Sequence, residues 1–226
     1  MTTLHFVSAG AAQGLVARIA KAERVEVAGS FGAVGAMLEK FLAGEACDVV
    51  ILTQAQIAIL AAKGAIVPGT QGDLGAAPTA LAVRAGEAKP DAHNEESLRA
   101  ALLAADAIYF PDPAKATAGI HFAKVLDLLG IRDAVASRVK NFPNGTTAMK
   151  AMGEAGGHPI GCTQATEILA VPSVRLVAPL PNGFDLATVY SAAVSATTPS
   201  RDDAEAFVRK LVGREMASTR LAAGFE

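Results

Sequence analysis

Short apolar runs alternate with longer amphipathic ones from the fourth residue of this chain almost to its end. That alternation limits the fold more than any other feature. A strand–helix–strand order calls for a largely parallel sheet with helices on its faces. The first run, Leu4-His5-Phe6-Val7, ends in the small residues Ser8-Ala9-Gly10-Ala11-Ala12. A helix over 11–22 follows, with Ala12, Leu15, Val16, Ile19 and Ala20 on one stripe. A second strand is expected at 24–28, then a turn at Gly29-Ser30-Phe31-Gly32, then a helix at 33–43 stopped by Gly44. Residues 48–52 read as a fully buried strand, and 54–62 as a helix ended by Gly64.

A strand at 79–86 closes this block, and the polar stretch 87–94 reads as a loop. The pattern then restarts. Helices are expected at 95–104, 118–129, 132–137, 145–155 and 165–170, and strands at 107–110, 138–142, 159–163 and 174–177. A long strand at 187–194 precedes a last helix, whose start is marked by Ser200 and Asp203 as a capping pair. The strands near 80–85 and 187–195 read as two passages between lobes. The expected fold is therefore α/β, a two-lobed clamshell in which each lobe is a mixed sheet flanked by helices and two strands act as hinges. Lobe one takes 1–82 plus 190–226 and lobe two takes 83–189. In such a fold a ligand sits in the cleft, where helix N-termini converge.

Composition narrows the partners. With 20 basic and 22 acidic side chains the net charge is −2, which gives no electrostatic footprint for nucleic acid. Trp is absent, which removes the usual stacking platforms. No apolar stretch reaches the roughly 18 residues that a membrane span requires, so no membrane insertion is expected. Cys47 and Cys162 sit in apolar runs far apart and read as buried free thiols. His5, His93, His121 and His158 show no metal-ligand spacing, so neither a metal nor a cofactor is expected. Nucleotide-binding glycine fingerprints and the G-x-S-x-G elbow are missing.

What remains is a set of loops where strands run into helices, the place where open α/β sheets bind ligands. They supply Ser8, Ala9, Gly10 and Ala11; Gly32, Ala33, Val34 and Gly35; Lys115, Thr117, Ala118 and Gly119; and Thr163 with Gln164. Small residues there leave backbone N–H groups open to oxyanion or carboxylate oxygens, and the hydroxyls of Ser8, Ser30, Thr117 and Thr163 add donors. If the chain is an enzyme, His121 and Glu167 are the acid–base candidates.

The ordered segments resemble the molybdate-type ABC transporter solute-binding proteins, which have the type II periplasmic binding fold. The matching pieces are Phe6-Val7-Ser8-Ala9-Gly10, Ser30-Phe31-Gly32-Ala33-Val34-Gly35, the run 42–51, Lys63-Gly64-Ala65-Ile66 and Pro111-Asp112-Pro113. Ala118-Gly119-Ile120, Leu129-Gly130-Ile131, Pro159-Ile160-Gly161, Leu180-Pro181 and Ala222-Ala223-Gly224-Phe225 continue the series almost to the end. The resemblance implies a solute receptor for a small anion, partnered by an ABC permease if exported. Molybdate binders of this family use serine and tyrosine hydroxyls where this chain has Gly10, Val34 and Gln164. A site rebuilt for a small organic acid is therefore expected. Some relatives with this fold are aconitate isomerases, so the alternative is an enzyme that shifts a double bond in a small polycarboxylate. No export signal precedes the first strand, so the sequence as it stands reads as cytoplasmic, and as periplasmic if a leader has been trimmed.

Overall fold

The computed structural model describes residues 2–226. The chain divides into two compact units, Met1–Ala77 with Thr188–Glu226, and Pro78–Ala187. It passes from one to the other within a single long strand and returns at the start of another.

In the first unit, β1 (Thr3–Ala9) leads through a short 3-10 turn at Gly10–Ala12 into α1 (Gln13–Glu23). Then come β2 (Glu26–Gly32), α2 (Val34–Leu42), β3 (Val49–Thr53), α3 (Gln54–Ala62) and the long β4 (Gly72–Arg84). β1 lies between β2 and β3 and is parallel to both. The core holds Leu4, Phe6, Val49, Ile51 and Leu52, with the Phe6 ring edge-on to Phe207 at 5.4 Å between centroids.

The turn expected at Gly29–Gly32 is strand. Phe6 pairs with Gly29 and Ala9 with Gly32, so β2 runs unbroken to Gly32. Gly29 has φ +108°, and a Cβ there would lie 2.1 Å from the Phe6 carbonyl oxygen. The glycine marks a close approach of two backbones inside the sheet, not a reversal.

The second unit contains the end of β4, α4 (Glu95–Ala104), β5 (Ile108–Pro111), α5 (Thr117–Leu128) and the single turn α6 (Arg132–Val135). β6 (Val139–Phe142), α7 (Gly145–Gly153), β7 (Ile160–Gln164), α8 (Ala165–Leu169) and β8 (Val174–Pro179) complete it. β5 is parallel to β6 and β7, while β4 runs antiparallel to β7 and β8. Alternation along β4 and β7 separates two cores. Leu81 and Cys162 face Phe122 and Leu126 of α5, whereas Ala80 and Ala82 face Met149, Met152 and Ile168 of α7 and α8.

Back in the first unit, β9 (Ala187–Val194) pairs antiparallel with β3 and adjoins β4, and α9 (Arg201–Val212) and α10 (Ala217–Ala222) follow. The pairing expected to cap α9 does not form. Ser200 makes no side-chain cap, and its own N–H donates to Thr198 Oγ1 at 3.0 Å. The first unit also gains a strand segment at 72–77, disguised by its glycines and by Pro78 just beyond it. Ala76 and Glu226 exchange two backbone hydrogen bonds of 2.9 and 2.8 Å beside it.

Candidate functional site

In the first unit the parallel pairing of β1 and β2 sets Ala9 beside Gly32. Their outgoing segments therefore lie next to each other: Gly10-Ala11 starts the 3-10 turn and Ala33-Val34 starts α2, and all four are buried. Gly35 follows in the first turn of α2. Backbone, not side chain, is what these segments offer. Ser8 is fully buried and its hydroxyl donates to the Ala9 carbonyl at 3.0 Å. Ser30 lies in β2, where it receives Lys40 Nζ at 2.7 Å and donates to the Glu45 carboxylate. That bond is the main reason the Glu45 carboxyl sits below the usual range.

In the second unit, the loop from β5 to α5 is built by Asp112, whose Oδ1 accepts from the N–H groups of Ala114 at 2.7 Å and Lys115 at 3.3 Å. The loop folds back so closely that a Cβ on Gly119 would lie 2.3 Å from the Asp112 carbonyl oxygen and 2.4 Å from that of Pro111. Only glycine lets the first turn of α5 sit there. Thr117 is half-buried, Ala118 is buried, and Lys115 stands exposed on the loop.

Helix starts divide into two kinds. α3, α4 and α7 are capped by the side chains of Thr53, Asn94 and Asn144. α9 is uncapped but carries Asp202 and Asp203 in its first turn. α1, α2 and α5 have neither a side-chain cap nor an acid in the first turn. Among the described helices of eight or more residues these three alone combine both conditions, and they follow the loops singled out from the sequence. Helix dipoles and first-turn N–H groups favour an anion at such starts, and at α1 the N–H of Gln13 is already bonded to the Gly10 carbonyl oxygen.

The β7–α8 junction holds a buried carboxylate. Glu167 is 6 % exposed, and its Oε2 accepts from Thr163 Oγ1 at 2.5 Å. The backbone N–H groups of Gly145, Thr146 and Gln164 lie beside it and favour its charged form. Burial raises its pKa above the ordinary glutamate value, and these donors oppose the rise. Glu167 thus faces the N-terminus of α7, not the dipole of its own short helix. Gly145 makes room for it, since a Cβ there would lie 2.0 Å from Thr163 Oγ1 and 2.1 Å from Glu167 Oε2. Gln164 is buried opposite Thr79 in the β4–β7 ladder.

His121 directs Nε2 to the Phe184 carbonyl oxygen at 2.7 Å, which tethers α5 to the loop before β9. Arg84 is a structural clamp: its guanidinium bonds Glu87 and the carbonyls of Ala155 and Gly157. A cavity of about 360 Å³ lies at the far end of β7, among Val83, Ala104, Pro159 and Ile160. It is apolar, and it adjoins the first residue of that strand, whereas Gln164 is its last.

Cys47 and Cys162 are both buried and unbridged. Burial pushes the Cys47 thiol up to about 12 and raises Cys162 as well, so neither supplies a thiolate near neutral pH. Iodoacetamide should leave both unmodified in the folded protein and alkylate both after denaturation. Rapid labelling of the native chain would contradict this burial. No group of His, Cys, Asp and Glu side chains able to hold a metal ion occurs among the described residues. No described helix is long and apolar enough to cross a membrane.

The sequence model of the bacterial extracellular solute-binding proteins matches residues 5–226. An aconitate isomerase from a Pseudomonas species is 26% identical over 96% of this chain and 85% of its own length. Among solved structures, the periplasmic molybdate-binding protein of Azotobacter vinelandii superposes with a TM-score of 0.74 at 20% identity, covering 99% of this chain and 98% of that one. The sulfate-binding protein SubI of Mycobacterium tuberculosis H37Rv superposes with a TM-score of 0.69 at 19% identity, covering 100% and 86%.

Proposed function

Because the chain belongs to the bacterial extracellular solute-binding protein family, we propose that it captures a small anion, an organic carboxylate or an oxyanion, and presents it to an ABC permease after export to the periplasm. The observation that carries this reading is the helix-start pattern. α1, α2 and α5 are the long helices whose first turns are left without a cap or an acid. In this reading the first unit offers the anion the backbone N–H groups of Gly10, Ala11, Val34 and Gly35, and the second unit, by itself, those of Ala118 and Gly119. Thr117 and Gln164 add side-chain contacts, and Lys115 supplies a nearby positive charge. The structures of a molybdate binder and a sulfate binder share the fold and support the anion class.

Titration calorimetry with molybdate, sulfate and a series of di- and tricarboxylates tests the reading. Saturable binding of one of them near one equivalent is expected. Thr117→Ala and Gln164→Ala should each weaken it about tenfold or more, the effect of one lost hydrogen bond to a charged group. Unchanged affinity in both variants removes these residues from the site, and no binding across the series removes the function.

One observation favours a second reading, an isomerase that moves a double bond in a small polycarboxylate: the aconitate isomerase relative spans nearly the whole chain. His121 and Glu167 would then move the proton. In the structure each already serves the fold, His121 at Phe184 and Glu167 at α7, so the receptor reading is preferred. Deuterium uptake from heavy water by cis- or trans-aconitate in the presence of the protein would reverse that preference.

A further inference from the structure

The apolar cavity of about 360 Å³ at the start of β7 lies wholly within the second unit, and the anion-binding reading makes no use of it. Val83, Ala105, Pro159 and Ile160 form its floor, and all four are buried. Its rim carries the charge. Lys89 stands exposed on the loop after β4, Glu87 is half-buried on the same loop, and His158 is exposed on the segment before β7. Ala104, the last residue of α4, completes the rim and is exposed.

Hydrogen bonds on two sides fix the walls. Arg84 Nε donates to Glu87 Oε1 at 2.9 Å, and its Nη2 donates to the Gly157 carbonyl oxygen at 2.7 Å. The loop after β4 is thereby tied to the segment before β7. Opposite, the His158 N–H donates to Asp106 Oδ2 at 2.7 Å, and the Asp106 N–H donates to the His158 carbonyl oxygen at 3.2 Å. That pair holds the exit of α4 against the same segment. Bonds within the chain thus set the shape of the space before a ligand arrives, which lowers the ordering cost of binding.

Size and charge then define the occupant. An aliphatic cavity of about 150 Å³ takes up benzene, and more than twice that volume suits an apolar body of about eight to ten carbons. At the rim, Glu87 is already matched by Arg84, and His158 Nδ1 lies 3.8 Å from the same carboxylate. Lys89 has no carboxylate partner among the described residues, and its Nζ meets the Val177 carbonyl oxygen at 3.5 Å. A lysine beside an apolar floor lays its stem along that floor and keeps its ammonium at the water boundary, ready for an anionic head.

We propose that this cavity is a second binding site, separate from the Gln164 end of β7, for a carboxylic acid with an apolar body of about eight to ten carbons. The body fills the space over Val83, Ala105, Pro159 and Ile160, and the carboxylate pairs with Lys89. The site goes beyond the receptor reading and does not depend on it.

Octanoate, octanol and octylamine, titrated calorimetrically into the full chain, test it. Octanoate should bind saturably near one equivalent. Octanol should bind severalfold more weakly, the scale of one exposed ion pair, and octylamine more weakly still. Hexanoate should bind about tenfold more weakly than octanoate, since each buried methylene tightens binding about fourfold. Lys89→Glu should weaken octanoate severalfold and leave octanol unchanged. Ala104→Phe, at an exposed rim position, should weaken both about tenfold or more by filling the space, with the melting temperature unchanged. No saturable binding of octanoate, or binding unmoved by Ala104→Phe, overturns the site. Octanol or octylamine binding as tightly as octanoate overturns the acid class, and so does octanoate binding untouched by Lys89→Glu. Displacement of octanoate by molybdate, sulfate or a polycarboxylate would place it at the receptor site and overturn the second one. Octanoate bound as expected to a chain that takes none of those anions supports this site and removes the receptor reading alone.

Discussion

Replacing Glu167 with alanine should lower the unfolding free energy by about 3 kcal/mol or more. The carboxylate accepts from the Thr163 hydroxyl, and the neighbouring backbone N–H groups of Gly145, Thr146 and Gln164 favour its charged form, all in a buried setting. Each donor stranded without a partner costs about 1–3 kcal/mol, and removal of the buried charge offsets part of the sum. The effect also depends on pH. Burial raises the folded-state pKa above the unfolded one, so this group's stabilisation is complete below the ordinary glutamate pKa and declines as pH rises through the raised value. The gap between wild type and Glu167→Ala should therefore be wider at about pH 5 than at about pH 8 in urea denaturation. A loss under about 1 kcal/mol at both would mean that the α7 N-terminus does not depend on this side chain.

Gly119→Ala should have a comparable effect by another route. The new methyl meets two backbone carbonyl oxygens at 2.3 and 2.4 Å, and backbone cannot rotate aside as a flexible side chain does. Overpacking of this kind costs about 1–3 kcal/mol. The relief it forces is a displacement of the first turn of α5 from the Asp112 loop. The variant should therefore lose affinity for the anion about tenfold or more, beyond what its stability change explains. Gly130→Ala is the control: φ is +63° but a Cβ there meets nothing within 4 Å, so stability falls modestly and binding is untouched. Equal behaviour of the two variants would separate the α5 start from ligand binding.

Periodicity made much of the fold legible. The helices at 54–62 and 95–104 and the strand at 187–194 occupy the residues that their spacing marks. It failed where one residue type serves two purposes. Gly29 and Gly32 look like turn glycines, yet they lie in a strand because Phe6 passes within a van der Waals contact of Gly29. Gly75 and Pro78 likewise concealed the first half of β4. At the candidate site, the uncapped starts of α2 and α5 could be anticipated from the small residues before them. The partnership of Glu167 with Gly145 and Thr146 could not, since it joins residues some twenty positions apart with no pattern between them. Thr79 was invisible for the same reason: its relation to Gln164 exists only through the ladder. A buried hydroxyl leaves no signature in the order of residues along a chain.

The order of strands in the first unit has a consequence for how the chain is made. β9 lies between β3 and β4 in that sheet, yet it is the last strand to be synthesised. Until residues 187–194 emerge, β3 and the start of β4 have no strand to join them, whereas residues 78–187 already form a contiguous unit. Vectorial synthesis therefore delivers the inserted unit ready to fold while its host remains open, and the host's apolar strand Val49–Thr53 keeps an unpaired edge for the longest part of the chain's birth.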